Sequence, residues 1–382
     1  MIYDEIHWWQ FPLKFISIRL NDDVRKIFFR EAESYFNGSG KIAKFLQERA
    51  GKYDRRINTD YRIVWHYKKR ARYIPAWMIF EIGNQINFGL TRIERNIISY
   101  ISSSGKIIIK NPKLPVKVTP VFASIAIHIM CDGSKSANKF FYSQKRYSEL
   151  ERFIKLIKYV FGNYETNSKR GHYVPAIFTT VVSQYYKIDN FLSSECRIPK
   201  KILNGDKNFK VAALLSFLHD DGNVSASVRF LSSNRYFLLD LFNLVKSLDY
   251  GCNNLSTMKK RFKMKKDGYS FTLKPSGVNN FFNDSRILIK EFPLMDVGRK
   301  LSYMESYVGF RNRKWKQRKK FETKEMIKNA LKDEPKTAYE LRNIINVTLW
   351  TTYHHLQHLM NKNEIKKIKH DKRYKYYLVN HQ

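Results

Sequence analysis

Acidic residues are scarce here: 34 Asp plus Glu stand against 70 Lys plus Arg in 382 residues, a formal net charge of +36. An excess of that size goes beyond what solubility requires and points to a polyanionic partner. Cysteine is scarcer still. Cys131, Cys196 and Cys252 are odd in number, far apart and outside any CxxC or Cys/His pairing, which excludes a disulfide framework and a structural zinc site. The chain therefore reads as reduced and intracellular. Long apolar runs are missing too. The longest, Val121 to Cys131, is interrupted by Ser124 and His128 and falls well short of the roughly 18 residues that a membrane span needs. Asp4, Glu5 and His7 sit where the apolar core of a secretory leader would begin, so none is expected. What is abundant is core material, with 43% hydrophobic and 15% aromatic residues, enough for two or three domains. The expectation is a cytoplasmic, nucleoid-associated nucleic-acid binder with no membrane partner; a basic protein on an anionic membrane surface is the weaker competitor.

An internal repeat appears at an offset of 89. Sliding Ala123–Gly162 onto Ala212–Gly251 without a gap gives 12 identities in 40 positions, where unrelated sequences would give roughly two or three. Among the pairs are Asp132/Asp221, Gly133/Gly222, Ser136/Ser225, Phe141/Phe230, Arg146/Arg235 and Leu150/Leu239. Each copy runs from an apolar stretch through Asp-Gly and alternating residues into a stretch of helical period, as with Leu150, Phe153, Ile154 and Ile157. In the second copy Arg261, Lys263 and Lys265 alternate with apolar residues, Asp267-Gly268 supplies a turn, and Tyr269, Phe271 and Leu273 alternate again. The predicted class is α+β, with two pseudo-symmetric α-β-β-α-β-β-α units over residues 110–200 and 201–308.

Two further segments flank the repeat. Within residues 1–100 a turn at Gly38-Ser39-Gly40, a helical run from near Lys41 and a basic aromatic stretch, Trp65 to Tyr73, stopped by Ile74-Pro75, fit a helix-turn-helix. Its second helix, capped near Thr59 or Asp60, would carry Arg62, His66, Lys69 and Arg70 to DNA; the plainer alternative is a helix with Trp65 and Trp77 in the core. After a basic linker, residues 309–321, the remainder (322–382) reads as three short helices, Lys324–Leu331, Thr337–Ile345 and Thr348–Met360. A two-stranded basic ribbon turning at Asp371-Lys372 follows, which is the winged-helix pattern.

Asp132 and Asp221 carry the chemical argument. Each ends an apolar helix, each precedes Gly, and they are equivalent in two copies, so pseudo-twofold packing would bring two carboxylates to one axis. Phosphodiester hydrolysis wants hard oxygen ligands for Mg²⁺ and an in-line water. The plain alternative is a solvated Asp at a helix C-terminus, which costs a little against the helix dipole in both copies. His128 and His219 read as packed, hydrogen-bonded residues of apolar helices. Nothing resembles a nucleophilic triad or a nucleotide-binding glycine loop.

Around these residues the sequence resembles the LAGLIDADG homing endonucleases, especially the stand-alone archaeal type with helix-turn-helix and winged-helix flanking domains. The resembling stretches are Pro112–Pro120 leading to Ile125–Gly133, and Arg197–Ile202 leading to Ala212–Gly222, within a coverage of about residues 110–308. The resemblance implies that Asp132 and Asp221 are catalytic and metal-binding, one per active site on each DNA strand, with Mg²⁺ as cofactor and Mn²⁺ as a substitute. The two motif helices would pack at the axis and double-stranded DNA would be the substrate. Ile127 and Ser216 stand where the family uses small residues, and added volume at a crossing pushes helix backbones apart.

Side chains alternate along a strand, so Ser136, Asn138, Phe140, Tyr142 and Gln144 should share the more polar face with Ser225, Ser227, Arg229, Leu231 and Ser233 and read bases. Arg261, Lys263 and Lys265 would extend a charged saddle over the phosphates; alternatively they protect an edge strand. Duplication within one chain removes the need to dimerise, so a monomer without an obligatory protein partner is expected. The functional expectation is a site-specific double-strand DNA endonuclease; the alternative is a non-cleaving, sequence-specific DNA-binding regulator on a decayed version of the scaffold.

Overall fold

Two helices, Pro120–Asp132 and Lys207–Asp220, are apolar on every side over most of their length, and a stretch of that kind must be covered on every side. They pack against each other, and every residue from Pro120 to Met130 and from Val211 to His219 is buried. Pro120 at the first turn of one of them needs no amide partner there and presets the helical backbone. In a computed structural model the chain is described except for residues 1–2, 54–58, 70–71, 103–106, 137–138, 143, 145, 166–171, 190, 192–194, 226, 259–267, 312–321, 371–372 and 380–382.

The class is α+β, with helices and several small antiparallel sheets. After each buried helix the same order of elements follows. In the first copy it is Gly133–Ser136, Lys139–Tyr142, helix Tyr147–Phe161, Asn163–Tyr164, His172–Val174 and helix Ala176–Tyr186. In the second it is Asn223–Val224, Val228–Ser232, helix Arg235–Ser247, Ser256–Met258, Gly268–Thr272 and helix Pro275–Glu291. The α-β-β-α-β-β-α order is therefore present twice.

The sheets are not identical. In the second copy all four strands join one sheet, whereas in the first Asn163–Tyr164 leaves its sheet and pairs with Ile108–Lys110. That pairing extends a five-stranded sheet with Ile16–Leu20, Ile74–Pro75 and Ile97–Ser102, and Glu5–Ile6 pairs with Val116–Lys117. The N-terminal hundred residues are thus laced to the first copy, and one buried core runs from Ile6 to Met304. Three helices, Asp22–Phe36, Ser39–Ala50 and Tyr61–Lys69, pack on one another; Asp60 caps the third through its Oδ1 and the amide of Ile63 at 2.9 Å.

A second, smaller core from Ile327 to Tyr376 belongs to the C-terminal segment. Its helices Glu322–Ala330, Ala338–Ile345 and Leu349–Asn361 precede the ribbon Ile365–His370 with Arg373–Leu378, and Lys336–Thr337 adds a third strand. Thr337 and Glu340 form a reciprocal capping box at the start of the middle helix. Among the described residues no helix is long and apolar enough to cross a membrane.

Candidate paired-carboxylate site

The two buried helices touch most closely at small residues. Ser124 Oγ and Ser216 Oγ lie 2.6 Å apart across the pair, and Ser216 also donates to its own helix at Ala212 O, 2.7 Å away. Ser124 is therefore the donor between the hydroxyls. Ser216 hydrogen-bonds Ser124, one turn before Ile127, and the Ile127 side chain is fully buried.

From this crossing both helices run to their acidic ends. Asp132 is the last residue of the first and Asp221 the C-terminal cap of the second. Burial pushes the Asp132 carboxyl up to about 6, with a further rise from the charge of Asp220. The Asp221 carboxyl is pushed up to about 7, first by desolvation at the end of its helix and then by the charges of Asp132 and Asp220. Both carboxyls are thus raised first by desolvation and then by neighbouring carboxylate charge. Lys300 offsets only part of this rise. Its ammonium donates to Leu218 O, His219 O and Gly222 O at 2.7, 2.6 and 2.8 Å, using all three hydrogens to cap the second helix.

Beneath the pair lies Asp220, its side chain wholly buried. Its Oδ2 is 2.8 Å from His128 Nδ1, and its Oδ1 is 2.9 Å from His219 Nδ1, 3.0 Å from Tyr142 OH and 3.2 Å from Gln144 Nε2. Burial alone would raise Asp220, but His128 and His219 overcome it and hold the carboxyl down at about 2. His128, His219 and Asp220 bring three metal-capable atoms within 4.8 Å of one another. Their separations are hydrogen-bond lengths and Asp220 already accepts from four donors, so the trio is a hydrogen-bonded core rather than an open ligand set. Gln144 Nε2 also faces Asp132 Oδ2 and Tyr142 OH, the latter at 2.9 Å, so its two hydrogens are shared among three acceptors.

Two of the residues expected on an outward base-reading face lie here instead. Tyr142 is buried, stacks on Phe153 with centroids 3.8 Å apart and binds Asp220, and Gln144 is half-buried between two carboxylates. The cause is a register difference between the copies. Ser134 pairs with Phe141, so the repeat would place Asn223 opposite Phe230, yet Asn223 pairs with Arg229. A one-residue slip turns side chains to the opposite face. In the second copy the expected alternation holds: Val228 and Phe230 are buried, Ser225 and Ser233 are exposed, and Ser227 and Arg229 are half-buried. Arg229 is partly spent internally, donating through Nη2 to Ser270 Oγ at 2.7 Å.

Arg62 and Lys69 project from the helix Tyr61–Lys69, Arg62 beside Asp60 at 3.5 Å, and Trp65 on that helix is 45% exposed whereas Trp77 is buried. Arg70, Asn138, Arg261, Lys263 and Lys265 lie outside the described residues, as does the side chain of Ser136. Sequence reasoning missed Asp220 and Lys300. The signal for Asp220 was its place beside Asp221, where the first copy has Cys131. Lys300 lies beyond the repeat and gave none. No known protein-family model matches the chain, and neither does any curated protein.

Proposed function

We propose that the protein is a site-specific, divalent-metal-dependent double-strand DNA endonuclease of the LAGLIDADG homing type. One observation carries this reading: the two aspartates that the internal repeat makes equivalent end the two mutually packed helices. Carboxylate oxygens are hard ligands that suit Mg²⁺, with Mn²⁺ as a substitute; Asp132 and Asp221 would each hold an ion, one for each DNA strand. When bound, such an ion supplies Lewis-acid polarisation of the phosphate and a more acidic water. The remaining work belongs to the chain. Ser124 and Ser216 let the helices approach, Lys300 anchors the end of the helix before Asp221, and Asp220 ties together His128, His219, Tyr142 and Gln144 underneath.

The strand Val228–Ser232 with Ser225, Ser227 and Ser233 beside it supports a base-reading surface in the second copy. The three N-terminal helices support a helix-turn-helix reading, with Arg62, Trp65 and Lys69 outward. The C-terminal segment fits a winged helix, whose ribbon carries Lys366, Lys367 and Lys369 exposed and whose third helix exposes Trp350 at 71% and Tyr353 at 45%. With both carboxylates in one chain, a monomer would suffice. The test is a randomised DNA library offered to the protein with Mg²⁺, with bound and cut fractions sequenced separately. A shared motif in both fractions is expected; a motif in the bound fraction with no cutting under Mg²⁺ or Mn²⁺ would leave the non-cleaving regulator.

A further inference from the structure

The two acidic residues are equivalent in the repeat but not in their surroundings. At the offset of 89, Asp220 corresponds to Cys131, Tyr142 to Leu231 and Gln144 to Ser233, so the buried network exists once and not twice. Asp220 can serve its four donors only as an ionised acceptor, which makes both histidines donate from Nδ1. The amide of Gln144 is likewise fixed in orientation. Its Nε2 faces Asp132 Oδ2, Tyr142 OH and Asp220 Oδ1, and turning the amide would set its oxygen against two carboxylates. Asp132 is therefore half-buried and held, whereas Asp221 is exposed, and among the described residues no side chain donates a hydrogen bond to it.

We propose that Asp220 is a positioning residue: through Gln144 it holds Asp132 and leaves Asp221 free, so the two carboxylates bind a divalent ion unequally and the DNA strand served by Asp132 is cut first. This rests on the nuclease reading. A ligand already fixed in place loses less freedom on binding, and partners one shell out from a metal typically change affinity or rate by about 10–100-fold when removed. Each cut adds one water across a phosphodiester. The water oxygen forms the new P–O bond, the P–O bond to one sugar breaks, and a proton from the water ends on the departing sugar oxygen.

Two readouts test it. Calorimetric titration of the full chain with Mn²⁺ in the absence of DNA should show two affinities at least about tenfold apart; Gln144→Ala should weaken the tighter by about tenfold and leave the weaker unchanged. DNA recovered from the library selection, labelled separately on each strand, should pass through a nicked intermediate cut on one strand, and Asp220→Asn or Gln144→Ala should bring the two strand rates together. Should Asp220→Asn fail to fold, Gln144→Ala, a change at a half-buried rim position, carries the test. Equal Mn²⁺ affinities, equal strand rates in the parent, or a folded Gln144→Ala protein that keeps the parental ratio would overturn the inference with the nuclease reading intact. No Mn²⁺ binding and no cutting of either strand would overturn both.

Discussion

Replacing Ile127 by glycine separates two pictures of the helix pair. If Ile127 holds the helices apart, removing it lets them close and cleavage rises. With Ser124 and Ser216 already 2.6 Å apart, there is nothing to close. The Ile127 side chain is fully buried, so its loss opens a cavity. Truncating a buried Ile to Ala costs about 2–5 kcal/mol, and moving from Ala to Gly inside a helix adds about 1 kcal/mol. The expected loss is about 3–6 kcal/mol, a large part of the roughly 5–15 kcal/mol by which a domain is stable. In urea, with a slope of roughly 2–3 kcal/mol/M, the midpoint should fall by about 1–3 M. Ile127→Val is the control, at about 0.5–1.5 kcal/mol. Unfolding followed by far-ultraviolet circular dichroism measures the loss, and cleavage per folded molecule should not increase. A loss below about 1 kcal/mol together with faster cleavage would refute close packing at this crossing.

Other outcomes follow from the same geometry. Asp132→Asn or Asp221→Asn should abolish double-strand cleavage and leave DNA affinity within a few-fold, measured on the same labelled DNA. Both carboxyls have folded pKa values, about 6 and about 7, above the ordinary carboxylate value. Their contribution to stability is thus fully present near pH 4 and lost as pH rises through 6 to 7, by about 1–2 kcal/mol after solvent screening. Melting of the metal-free protein between pH 5 and pH 8 reads this loss, and Mg²⁺ should restore stability at pH 8 but not at pH 5. Asp240 is buried and accepts from Arg197 Nε and Nη2 at 3.1 and 2.6 Å and from the amide of Ile198 at 3.1 Å, so Asp240→Ala should cost about 2–3 kcal/mol in urea unfolding. DNA affinity should fall roughly a thousandfold or more between 50 and 200 mM salt; a flat profile would remove the nucleic-acid reading.

Much of the element order was legible because its signals are local. Asp-Gly after an apolar helix, turn residues between alternating strands and the capping residue Asp60 each act within a few positions. Repetition at an offset of 89 then brought Asp132 and Asp221 into correspondence. What escaped depends on partners distant in sequence. The five-stranded sheet joins Ile16–Leu20 to Ile97–Ser102 and, through Ile108–Lys110, to Asn163–Tyr164, a pairing that no periodicity announces. The register slip at Asn223–Arg229 leaves alternation intact while exchanging the faces, which is why Tyr142 read as a base contact and is in fact a buried partner of Asp220. The meeting of Ser124 with Ser216 is a consequence of how two helices cross, and the repeat alone does not specify it.

The most direct test compares the parent with Asp132→Asn and Asp221→Asn on one DNA sequence recovered from the library selection, with Mg²⁺ present or replaced by a chelator. Paired carboxylates that act through a divalent ion require that all three proteins bind this DNA and that only the parent with Mg²⁺ produces linear double-strand breaks. Cutting by both variants at the parental rate, or cutting that persists in the chelator, would contradict the assignment of Asp132 and Asp221 as the metal-dependent centre.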